Sequence, residues 1–122
     1  MSPIAGVGVD AVDIGRFKAV LDRRPAIATR LFTETERRDG AGDAQRLAAR
    51  FAAKEATMKA LGGGIGTIAW HDVEVVREES GAPSLVLTSS AAALARRRHV
   101  SHWHVSLTHT AAVAVAMVVA EE

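Results

Sequence analysis

The sequence contains neither cysteine nor tyrosine, and it has only three Phe and two Trp among its 122 residues. Without cysteine, disulfides, thiolate zinc sites and cysteine nucleophiles are excluded, and the composition is compatible with a cytoplasmic protein. So few aromatic rings argue against a stacking platform for single-stranded nucleic acid. The formal net charge of +1 is also too small to indicate such a partner. We therefore expect a protein that binds no nucleic acid.

Long hydrophobic runs are absent as well. The longest apolar run, residues 111–120, is about half as long as a membrane-spanning helix. The N-terminus lacks the basic segment and apolar stretch that are typical of a signal peptide. The chain length is that of one domain, which buries roughly two-thirds of its unfolded surface. We expect a single domain over residues 1–122, located in the cytoplasm and without membrane contact.

The order of the predicted elements is strand, helices, hairpin, helix, hairpin. Residues 4–10 alternate weakly and predict a strand that ends at Asp10, and residues 43–61 predict one long helix. Further on, HDVEVVRE and SLVLT flank the turn SGAP and predict a hairpin. A short helix with a serine cap and two more strands follow. This order predicts an α+β fold, with a small antiparallel or mixed sheet packed against a long helix and shorter helices.

The last predicted strand is apolar on both faces. Bulky side chains alternate there with small ones: Val113, Val115, Met117 and Val119 with Ala112, Ala114, Ala116 and Val118. Apolar side chains on both faces are typical of a strand that is buried on both sides. The small face suits close packing against another subunit, and it equally suits packing against a helix of the same chain.

Glu55 interrupts the apolar face of the long predicted helix. Phe51 lies four residues before it and Met58 three residues after it, so all three share one side of the helix. Two interpretations stay open. Glu55 pairs on the surface with Lys59, one turn further on, or it points into a cleft and binds a cation.

A glycine loop follows the same helix, with Gly62, Gly63, Gly64 and Gly66. The backbone N–H groups of such a loop can approach an anion closely, although glycines also simply end helices. Together with the nearby carboxylate and lysine, this loop predicts a site for a phosphate and its metal ion.

Asp10, which follows Gly6 and Gly8, is either a turn residue or a second metal carboxylate. Mg²⁺ takes one or two protein carboxylates and completes its shell with waters and phosphate oxygens. Two carboxylates without cysteine or an HExxH motif fit Mg²⁺ better than zinc, and Mn²⁺ accepts the same oxygen ligands. His109, which closes HVSLTH, is interpreted as a donor to a phosphate or as a polar turn residue.

These motifs resemble the holo-acyl-carrier-protein synthase family of 4′-phosphopantetheinyl transferases. The resemblance lies in GVGVDAVDIGRF, in RFAAKEATMKALG some forty residues later and in HVSLTH, and it covers essentially the whole chain. The segment from Phe51 to Gly62 is the most specific part, and the Gly-x-Gly-x-Asp pattern with an arginine six residues later is the second. The chain departs from the family at Thr108, where many members have serine, and in its long glycine run.

The resemblance implies the fold of these transferases and a Mg²⁺-dependent reaction. The phosphopantetheine arm of coenzyme A passes to a serine of apo-acyl carrier protein, and adenosine 3′,5′-bisphosphate is released. Asp10 and Glu55 would be the metal ligands. Lys59 would neutralise the phosphate or help the leaving group, and Glu55, or a water that it holds, would take the serine proton. Arg50, His109 and the glycine loop would hold the nucleotide half of coenzyme A.

The resemblance also implies an acidic carrier protein as partner and a homotrimer with sites between neighbouring subunits. The basic side chains Arg16, Arg23 and Arg24 of the first helix would face the carrier. Two alternatives stay open: a magnesium-dependent enzyme acting on other nucleotide phosphates, and a non-catalytic module that binds a carrier or coenzyme A. The choice between a fatty-acid and a polyketide carrier, and the acceptance of acyl-coenzyme A, are not decided by the sequence.

Overall fold

The computed structural model describes residues 2–63 and 66–122, and it confirms the α+β class. No helix within these two ranges is long and apolar enough to cross a membrane. The strands are β1 (Ile4–Asp13), β2 (Val73–Arg77), β3 (Pro83–Leu87), β4 (His102–His109) and β5 (Val113–Glu121). The helices are α1 (Ile14–Arg23), α2 (Ala26–Leu31), α3 (Glu34–Asp39), α4 (Ala44–Ala60) and α5 (Ser89–Arg97), with a 3₁₀ turn at Trp70–Asp72.

A three-stranded antiparallel sheet, in the order β1-β5-β4, packs one face on α4, while β2 and β3 form a separate hairpin. Small side chains meet at the contact between the sheet and the helix. They are fully buried: Ala52, Ala53 and Ala56 on α4, and Ala114, Ala116, Val118 and Ala120 on β5. Because alanines line both surfaces, the strand and the helix approach closely. Helix α4 therefore lies directly against the sheet.

Two glycines hold β1 against the same helix. A Cβ atom built on Gly6 would lie 1.9 Å from the carbonyl oxygen of Ala60, and one built on Gly8 would lie 1.8 Å from that of Ala56. No side chain fits at these distances. The strand therefore crosses the C-terminal half of α4 in direct backbone contact, which brings the residues that follow Gly8 next to that half of the helix.

The expectation that β5 is buried on both sides is wrong within this chain. Its alanine face packs on α4, whereas its bulky face, with Met117 47% exposed and Val113 37% exposed, is turned outward. On β1, Val7 and Val9 are exposed on the adjoining outer surface at 49% and 51%. The sheet thus carries an uncovered apolar outer face, since α4 covers only one side of it.

Two predicted element ends are also wrong. Strand β1 does not end at Asp10, because its pairing with β5 continues to Asp13 opposite Val113. Helix α5 has no serine cap, since its N-cap residue is Thr88 and makes no side-chain capping bond. Instead the Asp72 carboxylate accepts hydrogen bonds from both the N–H and the hydroxyl of Ser90. The C-terminal end of β1 and the N-terminal end of α5 are thus set by contacts with residues far away in the sequence.

Candidate active site

Asp10, Glu55 and Lys59 lie together where β1 crosses α4. The Lys59 Nζ atom is 3.1 Å from Asp10 Oδ1 and donates a second hydrogen bond, also 3.1 Å long, to the carbonyl oxygen of Val9. Asp10 and Glu55 both line a cavity of about 570 Å³, which we call the carboxylate pocket. One helical turn separates Glu55 from Lys59, and the glycine contacts of β1 bring the aspartate to both.

The electrostatics of this pocket differ from those of a surface ion pair. Burial raises the pKa of the Glu55 carboxyl, the negative charge of Asp10 raises it further, and Lys59 opposes the shift. Among the described residues, Lys59 forms its ion pair with Asp10 and none with Glu55. The interpretation of Glu55 as a surface partner of Lys59 is therefore not what the structure shows.

A divalent cation fits these donors. Two carboxylates face one cavity, and the charge of one disfavours ionisation of the other, a repulsion that a cation between them would relieve. Within residues 2–63 and 66–122 there is no group of three or more His, Cys, Asp or Glu that could hold a metal ion. A set of two carboxylates suits Mg²⁺, which fills its remaining positions with water and phosphate oxygens.

Besides Asp10 and Glu55, the carboxylate pocket is lined by Asp13, which caps helix α1, by Arg16 and by apolar residues. Its floor includes Phe17 of α1 and Phe51 of α4, whose rings stack with centroids 5.2 Å apart. Arg16 lines the same pocket. A small neighbouring pocket, which shares two apolar lining residues with it, contains Arg23 and Arg24. The three arginines that are predicted to bind the partner thus line two adjoining pockets.

A second cavity, of about 250 Å³, gathers Arg46 and Arg50 of α4 with Arg77 of β2 and His109 of β4. We call it the arginine pocket. Arg50 is only 8% exposed, its Nε atom has no hydrogen-bond partner among the described residues, and burial lowers the pKa of its guanidinium. A buried and partly unpaired guanidinium in a basic cavity is suited to bind an anion.

Sequence reasoning missed two residues of the arginine pocket. Arg46 lies one turn before Arg50 on the same helix face, so helical spacing was a sufficient signal for it. Arg77 belongs to the hairpin strand β2 and reaches this pocket only through the tertiary fold. No local pattern connects it to α4.

The described part of the glycine loop ends helix α4. The N–H of Gly62 bonds to the carbonyl of Lys59, and that of Gly63 bonds to the carbonyl of Met58. Gly62 has a φ of +68° and Gly66 one of +103°, a region that favours glycine. Since the N–H groups of Gly62 and Gly63 are bonded within the chain, these two glycines serve the turn. For Gly66, phosphate binding stays a prediction. Gly64, also predicted as a binding residue, lies outside the described residues.

The two pockets lie on different sides of α4. Arg50 and Glu55 are five residues apart, which places their side chains about 140° apart around a helix of 3.6 residues per turn. Arg46 is nine residues from Glu55, about 180° away. A single chain therefore brings Asp10, Glu55, Lys59 and Arg16 together, but it does not bring them to the arginine pocket.

A carboxylate pair beside a lysine, together with a separate arginine and histidine pocket, would suit a polyanionic ligand with a divalent cation. The family model of the 4′-phosphopantetheinyl transferase superfamily matches residues 6–118 of this chain. The chain belongs to this superfamily, and within it to the holo-acyl-carrier-protein synthases.

Similar proteins support this placement. The holo-acyl-carrier-protein synthase of Frankia casuarinae is 57% identical over 118 residues, which are 97% of this chain and 98% of the relative. The crystal structure of the same enzyme from Neisseria meningitidis has a TM-score of 0.89 at 30% identity and covers 98% of this chain and 100% of its own. A Bacillus anthracis holo-acyl-carrier-protein synthase in complex with coenzyme A (3′,5′-ADP) has a TM-score of 0.80 at 34% identity, covering 97% and 96%.

Proposed function

We propose that this enzyme transfers the 4′-phosphopantetheine arm of coenzyme A to a serine hydroxyl of apo-acyl carrier protein and releases adenosine 3′,5′-bisphosphate. Asp10 and Glu55 meet at one pocket, and Lys59 pairs with Asp10 beside it; in a chain of this superfamily, this is the observation that carries the proposal. The serine oxygen forms a bond to the phosphorus next to pantetheine, and the diphosphate P–O bond to the nucleotide breaks.

Asp10 and Glu55 would hold Mg²⁺, or Mn²⁺ in its place. The ion would offset the charge that gathers on the diphosphate and on the leaving phosphate. Glu55, or a water that it holds, would accept the serine proton. Lys59 is exposed and, among the residues that the structure describes, bonds to Asp10 and to the Val9 carbonyl, so it can turn its ammonium group to a phosphate oxygen.

The arginine pocket would take the nucleotide half of coenzyme A. Its supporting feature is the buried Arg50 with an unpaired Nε, beside Arg46, Arg77 and the exposed His109. Phosphate oxygens are strong acceptors for a guanidinium fork. The 3′-phosphate of coenzyme A is a group of the right charge.

The carrier protein would dock on helix α1. Arg16 borders the carboxylate pocket, and Arg23 and Arg24 border its neighbour, so an acidic carrier would meet positive charge around the opening that leads to Glu55. Carriers of fatty-acid and polyketide synthesis both meet this requirement. We place the reaction in the cytoplasm, where such carriers work.

We infer further that the enzyme is a homotrimer with its active sites between subunits. Two observations support this inference: the pockets lie on different sides of α4, and the outer sheet face with Val7, Val9, Val113 and Met117 is apolar and uncovered. A coenzyme A molecule would reach both kinds of pocket if a neighbouring copy supplied the second one. The exposed face offers the contact area.

The reaction is tested by mass spectrometry of an apo-carrier protein incubated with the enzyme, coenzyme A and Mg²⁺. We expect the carrier to gain the mass of phosphopantetheine, and to gain none without the metal ion. Cleavage of coenzyme A without modification of the carrier would indicate a hydrolase of nucleotide phosphates. Formation of a complex without any mass change would indicate a binding module. Running fatty-acid and polyketide carriers side by side identifies the preferred substrate by kcat/KM.

A further inference from the structure

A completely buried ion pair lies beside the proposed site. Lys54, the residue before Glu55, and Glu36 of α3 are both 0% exposed, with Lys54 Nζ 2.7 Å from Glu36 Oε1. The ammonium also donates to the carbonyl oxygens of Trp70, at 2.9 Å, and of Val73, at 2.5 Å. Its three donors are therefore all used. The pair is fully satisfied, which a buried pair must be to be tolerated.

The carboxylate of Glu36 is equally occupied. Its Oε1 accepts the N–H of Thr33, 2.9 Å away, in the capping box of α3. Its Oε2 accepts the N–H of Val75, 2.8 Å away. The Thr33 hydroxyl in turn donates to the carboxylate of Glu74. Two side chains from two helices thus bind the main chain of β2.

The bound atoms lie on the edge of β2 that faces away from β3. The N–H of Glu78 bonds to the carbonyl of Ala82, so by strand alternation the main-chain groups of Val73 and Val75 point away from the partner strand. Lys54 satisfies the carbonyl of Val73, and Glu36 satisfies the N–H of Val75. The ion pair therefore bonds to this edge as a neighbouring strand would, and fixes the strand to α3 and α4 in one register.

The hairpin fixed in this way forms one wall of the arginine pocket. Val75, Val76 and Arg77 of β2 line that pocket together with Gly81 and Pro83, opposite Arg46 and Arg50 of α4. Resting on the proposed function, we propose that Lys54 and Glu36 are positioning residues for the nucleotide half of coenzyme A. They set the distance between the hairpin wall and the arginines of α4, and they take no part in the chemical step.

The test compares Lys54→Met, Lys54→Arg and Glu36→Gln with the matched core variant Val118→Ala. Val118 is also fully buried against α4 and lines neither pocket, so its truncation costs stability without touching the arginine pocket. For each folded variant, kcat and the KM values for coenzyme A and carrier are measured well below the lowest Tm. Calorimetry gives the Kd of adenosine 3′,5′-bisphosphate, a readout that does not depend on transfer.

We expect the variants of the pair to raise the KM for coenzyme A and the Kd of the nucleotide about tenfold, because a displaced wall misplaces the anion contacts. Their kcat and their KM for the carrier should stay within about twofold of the wild-type values. Val118→Ala should lower Tm and leave all four values unchanged. If Lys54→Met does not fold, the positioning role is tested with Glu36→Gln and Lys54→Arg.

Unchanged nucleotide affinity in folded variants of the pair would overturn the inference, as would an equal loss of affinity in Val118→Ala. If the proposed transfer reaction is wrong, the outcome differs from a failure of the positioning role. The wild-type enzyme would then modify no carrier, while the nucleotide titrations would still report on the pair.

Discussion

Glu55 shows how a single residue combines several constraints. It is half-buried on α4, its pKa is raised by burial and by the charge of Asp10, and it lines a cavity with an otherwise apolar floor. A carboxylate in such surroundings is unfavourable for the fold alone, because part of its hydration is lost without a direct ion pair among the described residues. A cation bound between Glu55 and Asp10, as proposed, would offset this cost.

Replacing either carboxylate by alanine should abolish transfer and preserve the fold. We expect Asp10→Ala and Glu55→Ala to lower kcat by about 10³-fold or more, because transition-state charge would lose the metal that stabilises it. Activity is measured by carrier mass at saturating Mg²⁺, and folding by circular dichroism. Near-normal turnover in either variant would contradict the metal assignment. Mn²⁺ should support the wild-type reaction, and Ca²⁺ should support it poorly.

Lys59→Ala should lower kcat by about 10²-fold, because a charge next to the phosphates is lost. Lys18→Ala is the matched control. Lys18 is exposed on α1 and pairs only across one helical turn with Asp22, 2.8 Å away, an interaction of little energetic value. Equal effects of the two substitutions would show that Lys59 has no special role in turnover.

Among the elements, β1 and α4 are the pair that builds the carboxylate pocket. Their contact is one of backbone against backbone, since Gly6 and Gly8 leave no room for a side chain. The result is a close junction, and Asp10 lies two residues beyond the glycine contact at Gly8. Movement of this strand would change the separation of the two carboxylates directly.

We expect Gly8→Ala to displace β1 and lower both stability and activity. Its Cβ would lie 1.8 Å from the carbonyl oxygen of Ala56, so the strand must shift, at a cost of about 3 kcal/mol. Thermal unfolding and kcat/KM are the measurements. Gly15→Ala is the control, because its Cβ meets only the Asp13 carboxylate at 3.6 Å and alanine favours a helix. If Gly8→Ala were as stable as Gly15→Ala, the close contact would not hold the strand.

Helix α1 should control recognition of the carrier. Reversing Arg16 and Arg24 to Glu should raise the KM for the carrier about tenfold and leave the Kd of coenzyme A nearly unchanged, because charge complementarity mainly steers encounter. Reversing the exposed Arg96 and Arg97 of α5 changes the net charge equally and serves as the control. The wild-type kcat/KM should also fall as salt rises. An unchanged carrier KM in the α1 variant would place the docking surface elsewhere.

At the scale of the whole molecule, the positions of the two pockets bear on how subunits would assemble. The carboxylate pocket and the arginine pocket are built from the same helix and open on different sides of it. The outer sheet face is apolar on β1 and β5. An assembly in which one copy's carboxylates meet a neighbour's arginines would use both features.

Mixing two variants with defects in different halves of the proposed site tests the sharing of sites between subunits. Glu55→Ala removes one half of a site and Arg50→Ala weakens the other. After dissociation and reassembly of a 1:1 mixture, about one quarter of interfacial sites should contain two intact halves, and activity should return accordingly. Sites contained within one chain would give no recovery. Met117→Asp, on the outer face, should prevent assembly in sedimentation and remove activity with it.

Features that depend on local spacing could be predicted from the order of residues. The α+β order of elements, the shared face of Glu55 and Lys59 on α4, and the helical position of Arg16 follow from the period of the helix and from alternation in strands. These patterns hold because neighbouring residues of a helix or strand have fixed relative directions. The family motifs, from which the roles of the two carboxylates were predicted, are also short segments of neighbouring residues.

Which faces of the elements pack together is seen only in the folded chain. It turned the alanine face of β5 onto α4 and the bulky face outward, and it extended β1 beyond Asp10. It also buried Lys54, whose neighbour Glu55 stays open to a cavity, and it brought Arg77 to Arg50. Periodicity predicts on which face of a helix or strand a side chain lies. Whether that face is buried depends on contacts between segments far apart in the chain, and these contacts form only in the folded core.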